Sequence, residues 1–88
     1  MKPQFFYAYV LRSLRDGQLY TGYSDNLKRR LAEHQAGRVN ATQNRLPVEL
    51  VYYEACRTQT DATRREKYLK TAWGKRYLKS RLRDYLTG

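Results

Sequence analysis

The sequence predicts an α+β domain with the element order β-β-α-β-α-α. Three observations predict it. Two segments rich in aromatic and β-branched residues flank an Asp16-Gly17 turn signal near the N-terminus. A capped stretch with helical apolar spacing follows, and then a third strand-like segment. Two further helical stretches close the chain.

Residues Phe5 to Ser13 form the first expected strand, and Gln18 to Tyr23 the second. Asp16-Gly17 between them makes the pair a hairpin. Ser24, Asp25 and Asn26 each suit a helix N-cap, because a short polar side chain can accept a hydrogen bond from a free first-turn amide. That helix should run to about Gln35, with Gly37 as its stop. Residues Arg38 to Pro47 read as a polar loop, and Glu49 to Ala55 as the third strand. Thr60 or Asp61 should cap a second helix that reaches Thr71. Trp73 and Gly74 are expected to interrupt it before a third helix, Lys75 to Leu86.

With 88 residues the chain is expected to be a single domain, 1–88, with one modest core. Any active site must share its scaffold with that core. Lys and Arg number 18 against 8 Asp and Glu, a net charge of +10 that attracts polyanions. Nucleic acid is the leading partner, ahead of an anionic membrane surface or a ribosome-associated role. Cys56 stands alone, so neither an internal disulfide nor a cysteine-rich zinc site is possible, which fits a reducing, cytoplasmic setting. The apolar stretch Phe5 to Leu11 is too short to span a bilayer, and no targeting segment is expected.

Chemistry enters on the inward faces of the helices. Leu27, Arg30, Leu31 and His34 share one i, i+3, i+4, i+7 stripe, whereas Lys28 and Arg29 project elsewhere. Ala62, Glu66, Leu69 and Trp73 form a comparable stripe on the second helix. Charged groups on core-facing stripes are costly unless paired or metal-bound. Two readings stand: a buried Arg30–Glu66 ion pair with His34 as a core histidine, or an Arg, a His and a Glu lining one cleft. In the second, a lone carboxylate anchors a divalent cation that keeps most of its waters, and the arginine stabilises a phosphoryl transition state. Nine tyrosines add to the pattern; Tyr7 and Tyr9 share a face of the first strand. Beside a metal and cations a tyrosine is expected to have a lowered pKa and to serve as a general base.

Tyr7-Ala8-Tyr9, Tyr20-Thr21-Gly22 and the run Ser24 to His34 resemble the opening of a GIY-YIG nuclease domain. The motif tyrosines Tyr9 and Tyr20 stand eleven positions apart, and Leu46 to Glu54 with Ala62 to Lys70 resemble the small stand-alone bacterial branch. The motifs here read Tyr-Ala-Tyr and Tyr-Thr-Gly; both keep the tyrosine and the second keeps its glycine. The resemblance implies a small three-stranded antiparallel sheet flanked by helices, with a cleft across it. It also implies Tyr9, Tyr20, Arg30, His34 and Glu66 as catalytic residues, with Glu66 the ligand of Mg2+ or Mn2+.

The expected reaction is metal-dependent hydrolysis of DNA phosphodiesters. Lys67, Lys70, Trp73, Lys75 and Arg76 are expected to hold the strand, Trp73 by stacking unless it packs in the core. Tyrosines interleaved with cations favour single-stranded or structured DNA. A protein partner is not readable. The alternative is a non-catalytic nucleic-acid-binding module on the same scaffold.

Overall fold

The computed structural model describes residues 3–88. Strand β1 spans Phe6–Ser13, β2 Leu19–Ser24 and β3 Val48–Cys56; helix α1 spans Leu27–Gln35, α2 Gln59–Leu69, α3 Ala72–Arg81 and α4 Arg83–Thr87. The sheet is antiparallel in the order β2-β1-β3, so the first strand lies in the centre. Tyr9 faces Gly22 across one ladder and Tyr53 across the other. In β3 the register shifts beside Val10 and Leu11, which pair with Tyr52 and Leu50 and leave Val51 over. Such a bulge sharpens the local twist.

Alternation along β1 gives the domain two cores. Tyr9 and Leu11 are fully buried with Val48 on one face, covered by Leu27 and Leu31 of α1 and flanked by Tyr20, Leu46 and Leu50. Ala8 and Val10 are buried on the other with Leu69 of α2 and Leu78 of α3, and Leu19, Val51, Tyr52 and Tyr77 pack around them. The sheet is therefore a wall with α1 on one side and α2 and α3 on the other. This is the α+β architecture expected from sequence, with a short fourth helix added at the end.

Caps fix the helix starts. The Asn26 side chain accepts from the Arg29 amide at 3.0 Å, so Asn26 is the cap among the three candidates. The second helix begins earlier than expected. Thr58, in extended conformation, accepts from the Asp61 amide at 3.1 Å, which puts Thr60 and Asp61 inside the first turn. Trp73 and Gly74 do not break a helix; they lie in the first turn of α3, capped by Thr71, whose hydroxyl accepts from the Gly74 amide at 3.1 Å. Gly74 is required because α3 crosses the end of α2 backbone to backbone. A Cβ there would run into the Tyr68 carbonyl oxygen and the Leu69 Cα. The same crossing turns Trp73 outward, so it is 69% exposed and does not continue the Ala62–Leu69 stripe into the core.

A clasp ties α2 to β3. Arg65 donates through Nε and Nη2 to the two oxygens of Glu54, each at 2.7 Å, and the Tyr52 hydroxyl donates to Glu54 at 2.7 Å. This bidentate geometry holds the Glu54 carboxyl below its ordinary pKa. No helix among the described residues is long and apolar enough to cross a membrane.

Candidate functional site

The face covered by α1 carries a buried polar chain. Tyr9 reaches inward from the central strand, and its Oη lies 2.8 Å from Nε2 of His34. Nδ1 of His34 lies 2.7 Å from Oγ1 of Thr42, in the loop after α1. His34 and Thr42 are both buried. The Tyr20 ring stands edge-on to His34 at 5.4 Å between centroids and lies 6.5 Å from the Tyr9 ring. Tyr9, Tyr20 and His34 thus form one cluster across β1, β2 and α1. Gly22 makes room for it. A Cβ at that position would sit 2.5 Å from the Tyr9 oxygen and 2.6 Å from its Cζ.

Arg30 borders this cluster, with its side chain 35% exposed and its Nη1 donating to Glu33 at 2.9 Å. The Glu33 carboxylate raises the arginine's pKa further. Arg29, one residue earlier, is more exposed and pairs with Asp25 at the surface. The stripe reading of α1 therefore holds: Leu27 and Leu31 pack on the core, His34 is buried, and Arg30 rather than Arg29 adjoins it.

Burial sets the proton affinities. It pushes the Tyr9 phenol above its ordinary pKa, and contact with the Arg30 guanidinium only partly opposes this. The expected lowering of a tyrosine pKa is thus reversed at Tyr9, because loss of solvation outweighs one nearby cation. Burial also depresses His34, and the positive charge of Arg30 adds to that. At neutral pH the pair consists of a phenol and an uncharged imidazole.

Glu66 lies on α2, across the sheet from α1. Its side chain is 17% exposed and pairs with Lys70, one turn on. The Arg30–Glu66 ion pair considered from sequence does not form, since each residue has a partner on its own helix. No group of three or more His, Cys, Asp or Glu side chains that could hold a metal ion occurs among the described residues. Glu66 fits a cation held by one carboxylate and water, because its charge partner is a surface lysine that a divalent ion would displace.

Lys67, Lys70, Trp73, Lys75 and Arg76 all lie on the exposed surface of α2, α3 and their junction. The Arg76 guanidinium stacks over the Trp73 indole at 4.7 Å. Two contributors escaped sequence reasoning. Thr42 sits in a loop, where no periodicity reports which side chains turn inward. Glu33 was legible through its i, i+3 spacing from Arg30.

A three-stranded sheet with a buried tyrosine–histidine pair beside an arginine, on a strongly basic chain, is compatible with a nuclease, and the family comparison makes that class specific. The GIY-YIG catalytic domain profile matches residues 5–78, and the chain belongs to that family. Its substrate class is accordingly nucleic acid. The chain is 40% identical over 88 residues to a UPF0213 protein of Bacillus licheniformis, covering 96% of this chain and 90% of that one. It is 47% identical over 66 residues to a UPF0213 protein of Natronomonas pharaonis, covering 74% and 76%, and 46% identical over 65 residues to one of Streptococcus agalactiae, covering 73% of each. No solved structure matches the chain.

Proposed function

We propose that this domain is an endonuclease that hydrolyses DNA phosphodiesters with one divalent cation and favours single-stranded or structured DNA. The Thr42–His34–Tyr9 hydrogen-bonded chain is the observation that carries this reading. A phenol of raised pKa is a poor base alone, but beside a neutral imidazole it can pass its proton on. As water attacks phosphorus, the Tyr9 oxygen takes a proton from that water and gives its own to Nε2 of His34. The resulting imidazolium keeps its original proton on Nδ1, which donates a hydrogen bond to Oγ1 of Thr42. The P–O bond to the leaving oxygen breaks, and that oxygen takes a proton from solvent. Arg30 offsets the charge that builds on the phosphoryl oxygens, exchanging its bond to Glu33 for one to phosphate. Tyr20, packed on His34, positions the phosphate or the water. Mg2+ or Mn2+ held by Glu66 would supply charge neutralisation at the phosphate and the leaving oxygen. Trp73, Tyr53, Tyr68 and Tyr85 are exposed rings open to unpaired bases, whereas the Tyr52 hydroxyl is committed to Glu54 and Tyr77. The lone Cys56 fits a cytoplasmic setting, and the net charge of +10 fits an enzyme acting on DNA.

The test uses labelled single-stranded, duplex and branched DNA with and without Mg2+ or Mn2+. Glu66→Ala should abolish cleavage and leave DNA binding intact. DNA binding without cleavage under every condition would make the chain a binding module, with Arg30–Glu33 and Glu66–Lys70 as structural ion pairs.

A further inference from the structure

A groove opens on the α1 face of the sheet, between β3 and α1. It measures about 560 Å3, and every residue that lines it keeps some surface open to solvent. Tyr7, Leu50 and Tyr53 line it from the sheet, Leu27, Lys28 and Leu31 from α1. The Tyr7 and Tyr53 rings meet edge-on at 6.1 Å between centroids, and Tyr53 is 53% exposed. Tyr53 pairs with Tyr9 across the ladder, so the groove begins one strand away from the backbone that carries the buried phenol. Asp25 lines both this groove and the depression that holds Arg30 and Glu33, so the two meet at the start of α1.

The charges at the rim are cationic or already matched. Asp25 is paired with Arg29 at 2.9 Å. Lys28 has no ion-pair partner among the described residues, whereas its neighbours Arg29 and Arg30 are engaged with Asp25 and Glu33. Lys28 also stands in the first turn of α1, where the helix dipole disfavours a cation unless an anion lies near. At the other side, the Arg57 guanidinium lies over the ring of Phe5, a further lining residue, at 5.5 Å. Free phosphate would leave the tyrosine faces unused, and an uncharged apolar ligand would leave Lys28 and Arg57 unused. A nucleotide uses both: its base lies on Tyr53 and its phosphates face the cations. Trp73 offers no such setting. It stands on α3, across the sheet, with Arg76 already stacked over its ring at 4.7 Å.

We propose that the Tyr7–Tyr53 groove binds unpaired bases of the DNA strand, with Tyr53 as the stacking residue and Lys28 as a phosphate contact. The choice of a DNA strand as ligand rests on the nuclease reading above. A base reaches Tyr53 face-on only when it is out of a helical stack, so the groove favours unpaired strands without reading sequence.

Binding can be read without cleavage, by fluorescence anisotropy in chelator at fixed salt. The probes are labelled hexathymidylate and an abasic strand of the same length and charge. The protein should bind the thymidylate about tenfold more tightly than the abasic strand. Tyr53→Leu should abolish that difference, and Tyr53→Phe, which keeps the ring, should retain it. Lys28→Gln should weaken both strands alike, and Trp73→Leu should leave the difference intact. Urea midpoints show that each variant is folded. Equal binding of the two strands by the wild-type protein would overturn the groove. So would a difference that survives Tyr53→Leu and vanishes in Trp73→Leu. Stronger competition by a hexapeptide of alternating glutamate and phenylalanine than by unlabelled thymidylate would give the groove to a protein partner and overturn it too. Tyr53-dependent discrimination in a chain that never cleaves DNA in Mg2+ or Mn2+ would keep the groove and refute the nuclease reading. Cleavage without discrimination would do the reverse.

Discussion

Gly22→Ala tests whether the Tyr9–His34 contact is the working part of the site. The added Cβ would stand 2.5 Å from the Tyr9 oxygen and 2.6 Å from Cζ. Carbon–oxygen contacts relax near about 3.4 Å, so the phenol must retreat by about 1 Å. Tyr9 is fully buried on the central strand, with no solvent-facing direction in which to move. A shift of that size disrupts the geometry of the 2.8 Å bond to His34. Overpacking of this kind costs about 1–3 kcal/mol, and losing the buried hydrogen bond adds about 1 kcal/mol. A domain stable by about 5–10 kcal/mol stays folded under that load. Misplacing a reacting group by about 1 Å costs on the order of 100-fold in rate. Urea titration and the metal-dependent cleavage rate of a labelled oligonucleotide measure the two losses on the same preparation. Wild-type stability together with a wild-type rate would refute the reasoning. Lost stability with an unchanged rate would show that Tyr9 serves packing alone.

Thr42→Val keeps the shape of Thr42 and removes its hydrogen bond to His34, so cleavage should fall by about tenfold, with Thr42→Ser restoring most of it; an unchanged rate in Thr42→Val would mean that His34 needs no orienting partner. Arg30→Ala should lose about 100- to 1,000-fold in cleavage rate, and Arg29→Ala far less, because only Arg30 adjoins the Tyr9–His34 pair; equal small losses would leave both as phosphate contacts. The pH dependence of stability follows from burial. His34 is depressed below 6.5, so its contribution is complete above that pH and is lost as pH falls through the folded value. Tyr9 is raised above 10.0, so its contribution is complete below that pH and is lost as pH rises through the folded value. Urea midpoints across both limbs should show these losses, and a His34→Phe variant should flatten the acid one; an acid limb unaltered by that change would assign it to other groups.

What could be read from the chain depended on regular spacing. The three strands were visible because their apolar and aromatic residues cluster between turn signals. Arg30 separated from Arg29 because helical periodicity assigns each residue a direction. Periodicity failed where the backbone changed course. Extrapolating the α2 stripe from Leu69 to Trp73 assumed one continuous helix, but the chain turns at Thr71, and Trp73 emerges in solvent. Gly74 looked like a breaker because a sequence does not reveal which backbone will lie against it. Thr42 was invisible for a related reason: its direction is set by the loop's turns, including the Thr42 amide's bond to the Val39 carbonyl. The sign of the Tyr9 shift depended on depth of burial, which no local pattern encodes.

The central position of β1 has a kinetic consequence. Its backbone amides are bonded within a sheet that has a neighbour on each side and a helical layer on each face. Exchange of those amides with solvent deuterium therefore requires the whole domain to open, so the Tyr9 segment should be among the most protected in the chain. Fraying at either end, or a protease cut in the loop after α1, would reach that segment last. A cellular control on this protein would find no easily opened local unit around Tyr9 to melt.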